Sequence, residues 1–474
     1  MLVVRKEMFA SPAARRGLRV CGLERLEPRE MLSAAGLAAI HVQPTAARMA
    51  DDSGVFGLSP AHVAHAYGFD QLGTLAGTGQ TIAIIDAYND ATINSDLNTF
   101  DNQFSTPSRP LTLQPGQFQV VNQLGQVVNP RAPKSLPPTS PRGDDWTVET
   151  SLDVEWAHAM APGAKILLVE ANSDDLNDLL TAVSSASDAP GVSVVSMSWG
   201  SSEFPQETQL DGYFTTAAGH GNVSFVAAAG DSGTPGIWPA YSPNVVAVGG
   251  TNLLTGASGN YRMEIGWNFG GGGYSQFERE PSYQAGVQAS RVRTIPDVAY
   301  DADPNTGFAI YDSLDPYVPG GGWDVIGGTS AGTPQWAALL AVANQQRAAS
   351  HLPALRAAPA DLYQLPSTDF HDVTAGFNGF NAGPGYDLVT GRGTPYANRI
   401  AQALASRSVS NVQASALPVP SDLAARSLSK LRATWAAWDL IAWDTTEHPA
   451  RRGWGSGLGS PSLGGRESAE RWVQ

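Results

Sequence analysis

The sequence predicts an α/β protein built on a doubly wound parallel sheet, and three observations carry that prediction. Short, almost wholly apolar runs recur at 81–86, 166–169, 192–198, 223–229 and 245–248, as expected of strands covered on both faces. Segments with helical spacing lie between them, and this alternation argues helices on both sides of one sheet. Asp86, Asp231 and Ser330 fall just beyond strand-like runs. In open α/β sheets that carboxyl-end rim is where ligands bind.

Taken in order, Ser59 reads as the N-cap of a helix running to about Tyr67. The strand 81–86 follows, and then helical spacing through Ile93, Leu97 and Phe100. The proline-rich stretch 104–143 reads as a long irregular excursion. A helix is expected over 144–160, a strand over 166–169, and a helix over 174–186. After the strand 192–198 a further helix is expected around 207–218, then the strands 223–229 and 245–248. The glycine-rich residues 250–320 read as surface loops over the sheet edge, with short strands such as 308–311. An apolar helix starts near Gln335, with Pro334 expected in its first turn, where a missing N–H costs nothing. Ser330 then sits at a helix N-terminus, where free N–H groups and the positive dipole end favour developing negative charge.

Length and composition bound the rest. A chain of 474 residues has room for two or three average domains, though one large core is common among α/β enzymes. The formal charge is −15, with the acidic excess concentrated in the middle of the chain. Such a surface argues against nucleic-acid and anionic-membrane partners. The single cysteine, Cys21, excludes an intrachain disulfide. No run approaches the ~18 apolar residues of a membrane span. Residues 1–57 read as an export leader and linker, with Arg5, Lys6, Arg15, Arg16 and Arg19 ahead of a small-and-apolar stretch. The tract from Leu26 to Ala34 resembles the LEPR-x-LLSA tract of many large exported bacterial proteins, so a secreted protein is expected. Residues 58–405 form the body. Residues 406–474 read as a low-complexity, largely disordered tail, with one amphipathic helix over 421–443. Nothing calls for a second subunit, and a monomer is expected.

Three local patterns carry chemistry, each with a plainer alternative. Gly328-Thr329-Ser330 fits a nucleophilic serine at a helix start, or a turn that merely caps the helix. Glu149 and Asp153, at i and i+4, share one helix face about 5–6 Å apart at Cβ. Two close acids cannot both ionise easily, so one gains a raised pKa and can act as base and acid. A solvated acidic face, which would include Asp145, explains the same spacing. Asp231 ends a strand in a tight turn, where aspartate often bonds its own backbone. Histidine supplies negative evidence. None of the eight lies in a His-Gly-x-His arrangement, and His158 projects about 140° from Asp153 and 180° from Glu149 around the helix.

Together these pieces resemble the sedolisin family, serine-carboxyl endopeptidases with a subtilisin-like, three-layer fold. The family's Glu-x-x-x-Asp helix is matched by Glu149 and Asp153, and its strand-end aspartate by Asp231. Its Ser-Gly-Thr-Ser-x-x-x-Pro is matched by Gly327 through Pro334, with Gly327 replacing the first serine. The resemblance runs from about Leu58 to Ala405. It implies Ser330 as nucleophile, Glu149 as general base, Asp153 as its proton-sharing partner, and Asp231 as oxyanion-hole donor beside the Ser330 N–H. A carboxyl group donates a hydrogen bond only while protonated, so acidic operation follows from the residue types. Trp199 resembles a family tryptophan lining the substrate cleft, or is a core aromatic. Asp86 extends the proton network, or is a strand-end turn residue. The resemblance also implies one calcium ion held by the side chains of Asp372 and Asp387 and the carbonyls of Val373, Gly383 and Gly385, oxygen donors that suit a hard cation. Protein or peptide substrates are implied as well. Family members usually carry a long folded prosegment, whereas about 57 residues precede the body here. Two other readings stay open: a subtilisin-type protease, for which the histidine helix is missing, and a catalytically inactive binding protein on the same fold.

Overall fold

The computed structural model describes residues 55–128, 136–141, 145–216 and 220–407, together with the backbone of two short strands before them, β1 (Gln43–Pro44) and β2 (Ala47–Met49). The leader over 1–42, the tail over 408–474 and its expected helix lie outside the described residues.

The body begins with α1 (Pro60–Tyr67), whose N-cap Ser59 accepts a bond from the His62 N–H. Then come β3 (Thr81–Ala87), α2 (Ile93–Phe104), β4 (Phe118–Asn122), α3 (Trp146–Met160), β5 (Lys165–Ala171), α4 (Leu176–Ser187), β6 (Val192–Met197), β7 (Trp199–Gly200) and β8 (Ser224–Ala228). The second half holds β9 (Val245–Thr255), β10 (Tyr261–Gly266), β11 (Gly273–Arg279), β12 (Val292–Ile295), β13 (Val298–Asp301), β14 (Phe308–Asp312), β15 (Gly322–Gly327) and α5 (Thr329–Ala349). The main sheet has eight strands. Seven run in the order β10-β9-β8-β6-β3-β5-β4, and β13 also pairs with β9. Every pairing in it is parallel except β10 with β9.

The apolar runs are buried on both faces because alternate side chains feed two separate cores. Ile82 and Ile84 of β3 pack with Leu152 of α3 and with Trp336 and Leu340 of α5. Ala83 and Ile85, between them, pack with Leu179, Leu180 and Val183 of α4. The doubly wound, three-layer arrangement thus stands.

Four local expectations are corrected. The excursion after α2 contains a real strand, β4, half-buried at the sheet edge. The helix expected around 207–218 is only two 3₁₀ turns, Glu207–Gln209 and Asp211–Phe214. Gly212, within the second turn, disfavours a continuous α-helix, and the turns already bury Phe214 and most of Leu210. Residues 250–320 are not surface loops. β9 continues to Thr255, β10 to β14 follow, and Tyr300, Phe308 and Ile310 are core residues. Finally, α5 starts at Thr329, so Pro334 lies in its second turn. There the proline leaves the Ser330 carbonyl without its usual intrahelical donor.

Candidate active site

Ser330 is delivered by a turn that only glycine can make. Gly328 holds φ at 97°, a conformation that side-chain-bearing residues rarely adopt. A Cβ on Gly327 would lie 2.4 Å from the Ala302 carbonyl oxygen and 2.6 Å from the Pro304 nitrogen. Where the family motif has serine, the 302–304 turn has closed over the space that a side chain would need. Ser330 is the second residue of α5 and belongs to the first turn, whose N–H groups find no acceptor within the helix.

Ser330 and Asp153 are joined through Ser198. The buried Ser330 Oγ donates to the Ser198 carbonyl at 3.3 Å. Ser198 donates its own hydroxyl to Asp153 Oδ1 at 2.8 Å. Sequence reasoning passed over this residue, although a polar side chain directly after the fully buried β6, on the rim where ligands bind, is a usable signal.

Glu149 and Asp153 lie one turn apart on α3, and both are completely buried. A solvated acidic face is therefore excluded. Burial pushes Asp153 well above the usual carboxylate range, the Asp86 and Glu149 carboxylates push the same way, and the Ser198 hydrogen bond opposes them. Asp86 lies inside β3, fully buried, which removes the turn reading. Burial raises it to about 7. Asp153 and Asp86 thus share a tendency to hold protons.

Asp231 reaches across the chain instead of bonding its own turn. Its Oδ1 accepts from both the N–H and the hydroxyl of Thr329, each at 2.8 Å, while the Thr329 hydroxyl accepts from Gly230 N–H at 3.0 Å. Thr329 immediately precedes Ser330, so Asp231 is fastened to the turn that carries Ser330. Burial raises Asp231 to about 7, opposed by the two Thr329 bonds. Its other oxygen, Oδ2, accepts no hydrogen bond, and in the neutral acid it can donate one.

Two aromatic candidates resolve into structural roles. Trp199 is fully buried and donates its indole N–H to the Ile85 carbonyl at 2.8 Å, so it is a core residue tying β7 to β3. His158, also buried, bonds the Leu111 carbonyl at 2.6 Å and lies 3.4 Å from Asp101.

The residues matched to a calcium site fall in one loop. Asp387 accepts from Gly383 N–H on one oxygen and from Val389 and Thr390 N–H on the other, at 2.8–2.9 Å. Asp372 accepts from Gly385 N–H at 3.1 Å. The Thr390 hydroxyl lies 3.4 Å from both the Val373 carbonyl and Asp387 Oδ2, so these oxygens converge. Burial raises Asp387, as expected of a carboxylate lacking a counter-charge. Oxygen donors are the type that a hard cation takes, although among the described residues no group of three His, Cys, Asp or Glu side chains comes together that could hold a metal ion.

Comparison with known proteins accords with this geometry. The Subtilase family model matches residues 147–365, which include Glu149, Asp153, Asp231 and Ser330. The chain is 37% identical over 385 residues to kumamolisin of Bacillus sp. (strain MN-32), covering 73% of this chain and 63% of kumamolisin. It is 36% identical over 236 residues to sedolisin of Pseudomonas sp. (strain 101), covering 42% of this chain and 38% of that protein. The chain therefore spans less than two thirds of the length of these relatives. A structure of Pseudomonas sedolisin, a serine-carboxyl proteinase complexed with two molecules of pseudo-iodotyrostatin, aligns with a TM-score of 0.61 at 26% identity. That alignment covers 75% of this chain and 100% of the other.

Proposed function

From the premise that this chain belongs to the sedolisin family, we propose that it is an exported serine-carboxyl endopeptidase that cuts proteins and peptides in acid. The observation that carries the reading is Ser198, which touches Ser330 through its carbonyl and Asp153 through its hydroxyl, with no histidine in that set of bonds. Ser330 Oγ attacks the peptide carbonyl, and Glu149 takes its proton. Asp153, held neutral by burial and by its acidic neighbours, shares a proton with Glu149 and keeps the pair from carrying two charges. The Ser330 N–H and the protonated Asp231 carboxyl stabilise the oxyanion. Losing one such donor typically costs on the order of 10²–10³ in rate. Collapse of the intermediate returns the proton to the leaving amine, and water repeats the sequence on the acyl-enzyme.

Asp372, Asp387 and the carbonyls of Val373, Gly383 and Gly385 would hold one calcium ion. A bound cation there fixes the 372–390 loop without taking part in the chemistry. Export rests on the N-terminal tract, and no helix among the described residues is long and apolar enough to cross a membrane. The test is a protein-substrate digest from pH 2 to 8 with wild type and Ser330→Ala. Activity should peak below pH 6 and vanish in the variant. An optimum above pH 7, or full activity without the serine, refutes the assignment.

A further inference from the structure

Three stretches far apart in sequence close a cavity of about 400 Å³ at the N-terminus of the helix Ala397–Ser406. α1 ends at Gly68, whose φ of 82° turns the chain so that Gln71 Oε1 accepts from Asn398 Nδ2 at 2.6 Å. Phe370 and His371 pair with Pro395 and Thr394, which brings His371 beside the start of that helix. Tyr261, the first residue of β10, stacks on the His371 ring with centroids 3.7 Å apart, and Tyr396 covers the other face at 3.6 Å. His371 is only 7% exposed, and its Nε2 has no hydrogen-bond partner. None of the catalytic candidates lines the cavity.

The charge around this cavity is opposite to that of the chain. The formal charge is −15, yet no carboxylate lines the walls. Asp70 and Asp369 come near without lining it, one bonded to His65 and the other within reach of the Arg399 charge. His65 bonds two oxygens, Asp70 Oδ2 at 2.7 Å and Asn260 Oδ1 at 2.6 Å, and only a doubly protonated ring can donate to both. With its carbonyl so engaged, Asn260 has its NH2 group left to donate, and the same holds for Gln71. The helix adds its positive end. Tyr396 at the N-cap makes no side-chain bond to it, and the first turn holds Arg399 and no acid. Arg399 lies 4.1 Å over the Tyr396 ring and gives one N–H to the Thr368 carbonyl, which leaves the rest of its fork for a ligand. We propose that the cavity binds the carboxylate of a small organic molecule. A guanidinium and two side-chain amides are planar donors matched to that planar group, and free N–H groups at a helix start suit an anion. Buried polar atoms are rarely left unpaired, and a ligand atom gives His371 the partner that the protein does not. The volume is at the lower end for small-molecule sites and more than a bare ion needs, so the tyrosine rings flank the rest of the molecule. The inference stands apart from the peptidase reading.

The test is calorimetric titration of the full chain at pH 5 with N-acetylglycine, its uncharged amide N-acetylglycinamide, and inorganic phosphate. A terminal carboxyl group, with a pKa of about 3.3–3.7, is ionised there. N-acetylglycine should bind saturably at one site, with the amide and phosphate weaker by about tenfold or more. Arg399→Gln should weaken the binding by about tenfold or more, as loss of a charge-assisted hydrogen bond does. Asn398→Asp places a carboxylate in the first turn of the helix, where it suits the dipole but repels the ligand. That variant should keep the wild-type circular dichroism and lose the binding. No saturable binding of N-acetylglycine overturns the proposal, as does equal binding of the amide or of phosphate. So does binding that Asn398→Asp leaves unchanged, because the carboxylate then sits elsewhere.

Discussion

Replacing Asp231 by asparagine separates what this residue does for catalysis from what it does for stability. Asn Oδ1 can accept the same two Thr329 bonds, and its amide supplies at every pH the donor that Asp231 supplies only when protonated. Burial raises Asp231 from 3.8 to about 7. The folded state therefore binds a proton that the unfolded chain has released. The resulting stabilisation is fully present below pH 3.8 and is lost as the pH rises through about 7. At about 1.4 kcal/mol per unit the difference amounts to about 4 kcal/mol, an upper figure because Asp231 is partly solvent-accessible. The assay is thermal melting of wild type and Asp231→Asn at pH 4 and pH 8, alongside pH–rate profiles. The variant should gain relative to wild type at pH 8, by several degrees for a domain of this size. Its alkaline limb should move upward or disappear. Equal melting differences at both pH values, with an unchanged alkaline limb, would refute the reasoning and leave the limb to the Asp153 group.

Four further outcomes are expected. Ser198→Ala removes the hydroxyl on Asp153 and should lower kcat/KM by roughly 3- to 10-fold, as loss of a hydrogen bond between neutral groups does, with little change in far-UV circular dichroism. Gly327→Ser restores the family residue yet should lower the melting temperature, because a Cβ there meets the Ala302 carbonyl. A melting temperature at or above wild type would show that the 302–304 turn yields easily. Chelator should lower the melting temperature of wild type but not of Asp387→Ala, and calcium at one hundred times its dissociation constant should restore about 2.7 kcal/mol. No response to chelator, with no copurifying metal, would dismiss the ion. Glu207, raised by burial to about 9, contributes stability that is lost as pH rises toward that value. Glu207→Gln should therefore melt higher relative to wild type at pH 8 than at pH 4, and a pH-independent difference would contradict this.

The sheet and the four catalytic candidates were legible in the sequence because each left a local mark. Strands buried on both faces are written as unbroken apolar runs, and the acid pair by its four-residue spacing. What stayed hidden depended on partners remote in sequence. Ser198 matters through Asp153 and Ser330, 45 and 132 residues away. Asp231 looked like a turn residue because its partner, Thr329, lies 98 residues on. β4, the continuation of β9 beyond Val248 and β10 to β13 were obscured by proline and glycine, which break local periodicity without preventing strands whose partners are already in place.

The acidity of the chain also changes meaning once the fold is known. Read from composition it describes a surface, but much of it lies inside. Asp86, Asp153, Glu155, Glu207, Asp301 and Asp312 are completely buried. Among the described residues, Arg293 with Asp297 is the one pairing of an arginine or lysine with a carboxylate within salt-bridge distance. Buried carboxyl groups without a cation avoid the cost of desolvated charge by keeping their protons. Asp153, Glu155 and Asp301 are pushed well above the carboxylate range, and Glu170, Glu207 and Glu278 are raised to between about 8 and 9. Each shift has the same sign as that of Asp231. The folded chain takes up protons as the pH falls, so acid stabilises the scaffold and, on the proposed reading, also arms the oxyanion donor. A histidine-based site would lose its base under the conditions in which this core is strongest, whereas a carboxyl pair keeps working. On the proposed reading, the choice of catalytic residues and the protonated interior are thus two consequences of one acidic working pH.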